Sequence, residues 1–255
     1  NRTEAGYQAP DDNWSLGAVQ RVSLLLKNLG KGKETPAKVV SAMNEAATQD
    51  VDDVTIEPLL AQVLSKVPAP NARDAEMLHL LNVWYRQGSS LLDKTDANGM
   101  GNITAPGAAI MLTAWPDLAD AWASTVLGST LTQQFNSLVP DDSPPPNGQY
   151  TGWYVYMDKD LRTILGDKVK GKFKVRYCGG GNVKLCATQL WGALDQAGNT
   201  LQSQQGANPA AWRVSAVPQR ITFVPGLLTT TMRYTNRPSG IQQVISFGGH
   251  APGDQ

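Results

Sequence analysis

The stretch Asn71-Ala72-Arg73-Asp74-Ala75-Glu76-Met77-Leu78-His79-Leu80-Leu81-Asn82-Val83-Trp84 decides how the chain is read. Asn71 can cap a helix, because its short side chain reaches back to free amide N–H groups of the first turn. Met77, Leu80, Leu81 and Trp84 then fall at i, i+3, i+4 and i+7, which lines one apolar face. Gly88 marks the end. His79 sits off the apolar stripe and is read as an exposed surface side chain.

Toward the N-terminus the helical pattern continues. Residues 14–22 lead into Leu24, Leu25, Leu26 and Leu29, and Gly30 and Gly32 stop the run. Thr35-Pro36 supplies a cap and a first-turn proline for a helix through Val39, Val40, Met43 and Ala47. Ile56 to Val67 repeats the pattern until Pro68 and Pro70 break it.

Toward the C-terminus, a polar loop from Asp93 to Thr104 precedes a helical stretch that begins at Ala105-Pro106-Gly107 and carries Trp115, Trp122 and Leu127. Pro116 is expected to divide it in two. Pro144-Pro145-Pro146 lies in a stiff connection, 141–148, between a mainly helical region, 1–140, and a mixed region, 149–255. Within the mixed region, Tyr150 to Tyr156 and Phe173 to Tyr177 have strand composition. Asn182 caps a helix through Leu190, Trp191 and Leu194. Strands are expected at 220–225, 232–236 and 243–247, with a turn at Pro238-Ser239-Gly240. The predicted class is α+β, helical first and mixed afterwards.

Composition narrows function. The chain has 255 residues, 41% of them apolar, and 22 basic residues balance 22 acidic ones. No nucleic-acid footprint and no affinity for an anionic membrane is expected from that balance. No apolar stretch reaches the length of a membrane span. The sequence opens on Asn1 and not on Met, which predicts a processed product or an excised piece.

Chemistry-bearing residues are few. With only His79 and His250 present, His-centred catalysis has little material, and neither has a metal-ligand partner at i+3 or i+4. Asp96-Ala97-Asn98-Gly99 lacks the first and last ligands of a calcium loop and reads as a turn. Cys178 and Cys186 flank a triglycine, which lets the chain fold back far enough for a disulfide, and an oxidising compartment fits that pairing. Two buried free thiols are the alternative. The acidic pair Asp11-Asp12 precedes a helix and, by itself, reads as charge complementarity to that helix start.

Three groups of residues resemble the penicillin acylase family of N-terminal-nucleophile hydrolases. The first is Asn1 to Tyr7, then Pro10-Asp11-Asp12-Asn13-Trp14 and Gly17 to Val22. The second is Trp84, the Asp- and Gly-bearing loop 93–101, and Ala105-Pro106-Gly107 with Trp115. The third is Arg233-Tyr234-Thr235-Asn236-Arg237 leading to Ile245-Ser246-Phe247. The resemblance covers nearly the whole chain and implies the C-terminal portion of an αββα-type β subunit.

It also implies a function: hydrolysis of the amide of an N-acyl compound, a β-lactam side chain or a similar amide, in a secreted or periplasmic enzyme. The family's nucleophile is a Ser at the free N-terminus of the β subunit, activated by its own α-amino group. Residue 1 here is Asn, so the nucleophile is expected on an upstream segment, with an α subunit from the same precursor completing the site. This chain by itself is expected to be inactive. Asn1 matches either the family's oxyanion-hole Asn or the second Asn of the adjacent Trp-Asn-Asn turn, and Arg21 matches an Arg that contacts substrate. Asp11 or Asp12 matches a ligand of a structural calcium, with no organic cofactor implied. The competing expectation is a noncatalytic binding or structural module whose aromatic side chains, Trp153, Tyr154 and Tyr156 among them, hold a ligand.

Overall fold

The structure, a computed structural model, describes residues 20–92, 101–138, 154–216, 220–221 and 232–233. It is mostly helical with short antiparallel ladders, consistent with an α+β class. The helices are α1 (Gln20–Asn28), α2 (Pro36–Thr48), α3 (Val51–Leu64), α4 (Ala72–Arg86), α5 (Pro106–Leu138), α6 (Tyr154–Leu165) and α7 (Val183–Gln205). Strands β1 (Asn102–Ile103) and β2 (Val214–Ser215) pair antiparallel, as do β3 (Arg220–Ile221) and β4 (Met232–Arg233).

The caps read from sequence form as expected. Thr35 accepts a bond from the Lys38 amide, and Asn71 accepts one from Asp74 at 2.9 Å. Asn182 accepts from both Lys184 and Leu185 at the start of α7. Along α4, Met77, Leu81 and Trp84 are buried, whereas His79 faces outward.

Helices α5 and α7 pack on each other at the centre, α3 and α4 cover α7, and α6 lies against α3. Buried side chains from Leu24 to Ala216 form one cluster, with Trp84 and Trp212 among the largest. Each large buried apolar side chain contributes about 1.5 to 3 kcal/mol through removal from water. Indole N–H groups serve helix ends: Trp191 Nε1 donates to the Leu64 carbonyl at 3.2 Å, and Trp212 Nε1 to Gly206 at 2.8 Å. Arg73 ties α4 to α7, reaching Asp195 at 2.5 Å and Asn199 at 2.7 Å.

Three expectations are corrected. Residues 154–156 open a helix and not a strand, because Met157 and Leu161 bury one face at helical spacing. Tyr150 to Trp153 lie outside the described residues. Phe173 to Tyr177 are irregular, since Phe173 and Tyr177 turn into an aromatic cluster and no described strand pairs with them. Helix α5 runs through Pro116 and breaks at Gly128 instead (φ 71°, ψ 165°). That left-handed φ suits a residue without Cβ, while Ala114, Leu118 and Trp122, buried on both sides of the proline, hold the helix together there. Gly107 is needed for a different reason: a Cβ there would stand 2.5 Å from Trp84 Cβ, so α4 and α5 approach only because it has none. The segment 243–247 lies outside the described residues.

Candidate functional site

Asn1, Asp11 and Asp12 lie outside the described residues, as does His250. Arg21 falls in the first turn of α1, where the backbone alone is described. Cys178 and Cys186 form a disulfide, with Cα atoms 4.9 Å apart and both residues fully buried. The triglycine between them makes a 3-10 turn over Cys178–Gly181. Closing so short a loop is worth about 2 to 3 kcal/mol in the chain-entropy account. Among the described residues no group of three or more His, Cys, Asp or Glu side chains is placed to hold a metal ion. No described helix is long and apolar enough to cross a membrane.

The elbow at Cys178 is organised by Asp160 of α6. Its carboxylate is 1% exposed and accepts three N–H groups: Trp122 Nε1 at 2.9 Å, the Cys178 amide at 2.9 Å and the Tyr177 amide at 3.1 Å. Burial raises its pKa above the ordinary value, and the three donors and the Arg176 charge oppose that rise. The sequence reading missed Asp160. The signal was available, since Met157, Leu161 and Ile164 repeat at helical spacing and put Asp160 on the same side as Met157 and Ile164.

Beside this elbow the aromatic side chains leave a cleft of about 350 Å³. Trp122, Leu127, Leu131 and Gln134 of α5 form one wall, and Tyr156, Phe173 and Tyr177 the other. Trp122 lies 5.3 Å from Tyr177, Phe173 meets Tyr177 edge-on at 5.8 Å, and Tyr156 stacks on Phe173 at 6.2 Å. Lys159 Nζ stands 5.1 Å from the Phe173 ring; burial lowers its pKa and the Asp158 charge counters that shift. The cleft wall is mostly aromatic and aliphatic, with the Gln134 amide and the side chains of Tyr156 and Tyr177 as its polar members, an arrangement that accepts an aromatic or aliphatic group.

A second polar feature is buried under α3. Asp50 caps that helix by accepting the Asp53 amide at 2.7 Å, and the Ser89 hydroxyl donates to Asp53 Oδ2. Asp53 and Glu57, one turn apart, are 0% and 1% exposed, and among the described residues none donates a hydrogen bond to Asp53 Oδ1 or Glu57 Oε1. Desolvation raises Asp53 well above its ordinary pKa, with the Ser89 bond opposing. Desolvation likewise raises Glu57 to about 7, with Arg86 opposing. No family model and no curated protein matches the chain.

Proposed function

We propose that the chain is the C-terminal part of the β subunit of a penicillin-acylase-like enzyme that hydrolyses the amide of N-acyl compounds outside the cytoplasm. The reading rests on the residue resemblance, and one contact supports it most. Trp84 at the end of α4 and Pro106-Gly107 at the start of α5, two parts of the second resembling group, meet in direct packing. In this reading the described helices are a disulfide-bridged scaffold, and the chemistry lies at the N-terminal edge. A Ser at the head of an upstream segment attacks the carbonyl. Asn1 or its neighbour donates to the oxyanion, and Arg21 orients the substrate through its planar fork of donors. A structural calcium at Asp11 or Asp12 belongs to the same reading.

The test restores the upstream β segment and the α subunit and follows a chromogenic N-acyl amide. Arg21→Ala is expected to lower kcat/KM by about 10- to 150-fold, the equivalent of one charge-assisted hydrogen bond, and Arg21→Lys to recover little of it. Unchanged kinetics in Arg21→Ala would remove Arg21 from the site.

A second reading, a noncatalytic binding module, is favoured by the aromatic cleft. It predicts that an anilinonaphthalene dye binds the chain. Leu131, on the cleft wall and 54% exposed, is the position to alter. Leu131→Glu is expected to weaken the dye about tenfold or more, since a charge placed against an apolar ligand loses solvation. Equal dye binding by the two proteins would discard the cleft as a ligand site.

A further inference from the structure

The loop after α6 carries Lys168, Lys170, Lys172, Lys174 and Arg176, a cation at every second position, in a chain whose 22 basic and 22 acidic residues cancel overall. In a straight strand these cations would spread along one face about 7 Å apart. Here the chain turns twice. The Gly166 amide donates to the Thr163 carbonyl at 3.2 Å and the Asp167 amide to Arg162 at 2.9 Å, which closes the end of α6. A second turn falls at Gly171, with φ of 59°.

These turns bring the cations around a cleft of about 490 Å³ whose wall includes Lys168, Lys170, Lys172 and Arg176, together with Thr163 and Asp167. The wall thus sets four positive charges against one carboxylate. That carboxylate is itself engaged, since Asp167 Oδ2 lies 3.6 Å from Arg162 Nη1. The lysines are exposed, whereas Arg176 is half-buried and anchored: its Nη1 donates to the Phe173 carbonyl, and the adjoining Tyr177 amide is held by Asp160. A fixed guanidinium beside flexible ammonium groups suits an anion that offers several oxygens at once.

We propose that this cleft binds a multiply charged phosphate-bearing anion, with Arg176 as the fixed contact and Lys168 and Lys172 closing over it. The cleft shares no residue with those that carry the acylase reading, so the two stand or fall separately. The ligand's phosphates come from a soluble polyphosphate-type molecule or from headgroups of an anionic lipid surface.

Calorimetric titration of the full chain with tripolyphosphate tests the site, alongside sedimentation with phosphatidylglycerol and phosphatidylcholine vesicles. The double substitution Lys168→Glu and Lys172→Glu alters exposed side chains only. It is expected to weaken tripolyphosphate about tenfold or more, while added salt weakens the unaltered chain's binding. Tripolyphosphate binding without vesicle binding supports the site with a soluble ligand. Co-sedimentation with phosphatidylglycerol alone, lost in the double variant, supports it with a lipid surface. The proposal is overturned if neither probe binds at low salt, or if the double variant binds as the parent does. It is also overturned if Lys31→Glu with Lys33→Glu, exposed lysines elsewhere, causes an equal loss.

Discussion

Replacing Asp160 by Ala is expected to destabilise the fold by roughly 3 to 5 kcal/mol, because buried N–H groups that lose their acceptor cost about 1 to 3 kcal/mol each. The donors are Trp122 Nε1 and the amides of Tyr177 and Cys178, all of which converge on this one carboxylate. Trp122 is a core side chain of α5 and Cys178 is one end of the disulfide, so the loss spreads from the elbow into the α5–α7 packing. Asp160→Asn, which keeps one acceptor oxygen, is expected to lose less. Urea unfolding with the disulfide intact measures both. A cost below about 1 kcal/mol for Asp160→Ala would mean that the elbow is held by the disulfide and aromatic packing without its carboxylate.

The second large effect is a pH dependence set beneath α3. Glu57 has its carboxyl raised from 4.5 to about 7 in the folded chain, chiefly by desolvation. Between those two values the folded state keeps a proton that the unfolded chain has released. Stability from this group is therefore full below about pH 4.5 and declines as pH rises to about 7. The difference corresponds to roughly 3 kcal/mol between the two ends of that window. Asp53, raised in the same direction and coupled to Glu57 by like charge, adds a loss of the same sign. Glu57→Gln removes the titration while keeping the shape. Its melting temperature is expected to vary less between pH 5 and pH 8, about the window of the shift, and to exceed the parent's at the upper end. Parallel melting profiles for the two proteins would place the pH dependence elsewhere.

The helices were legible where local signals agreed with packing. Asn71, Thr35-Pro36 and Asn182 each marked a start, and Met77, Leu81 and Trp84 each face the core as their spacing implies. The disulfide was legible because Cys178 and Cys186 stand eight positions apart and three glycines lie between. What composition misread were the aromatic stretches. Tyr156, Phe173 and Tyr177 favour strands in the abstract, yet they pack on one another and on Trp122, and tertiary contact overrides β propensity. Proline misled for a related reason: Pro116 removes one bond from α5, and burial of its neighbours outweighs that loss. The buried carboxylates of Asp53 and Glu57 could not be distinguished by sequence from the acids of an exposed helix face, because what separates them is which face a neighbouring element covers, whereas the apolar spacing of Met157 and Ile164 did mark the side on which Asp160 lies. The alternating cations from Lys168 to Arg176 were not singled out in the sequence, where charge balance drew the attention, and the two turns that gather them are set by loop geometry.

The central claim, that this chain completes an amide hydrolase whose nucleophile lies upstream, is tested most directly by labelling the restored enzyme with a serine-reactive sulfonyl fluoride. Peptide mapping then locates the adduct. The account predicts loss of N-acyl amide hydrolysis in step with a single adduct on the N-terminal Ser of the upstream β segment, and none within residues 1–255. An inactivating adduct on a residue of this chain, or a restored enzyme that hydrolyses no N-acyl amide, would contradict it.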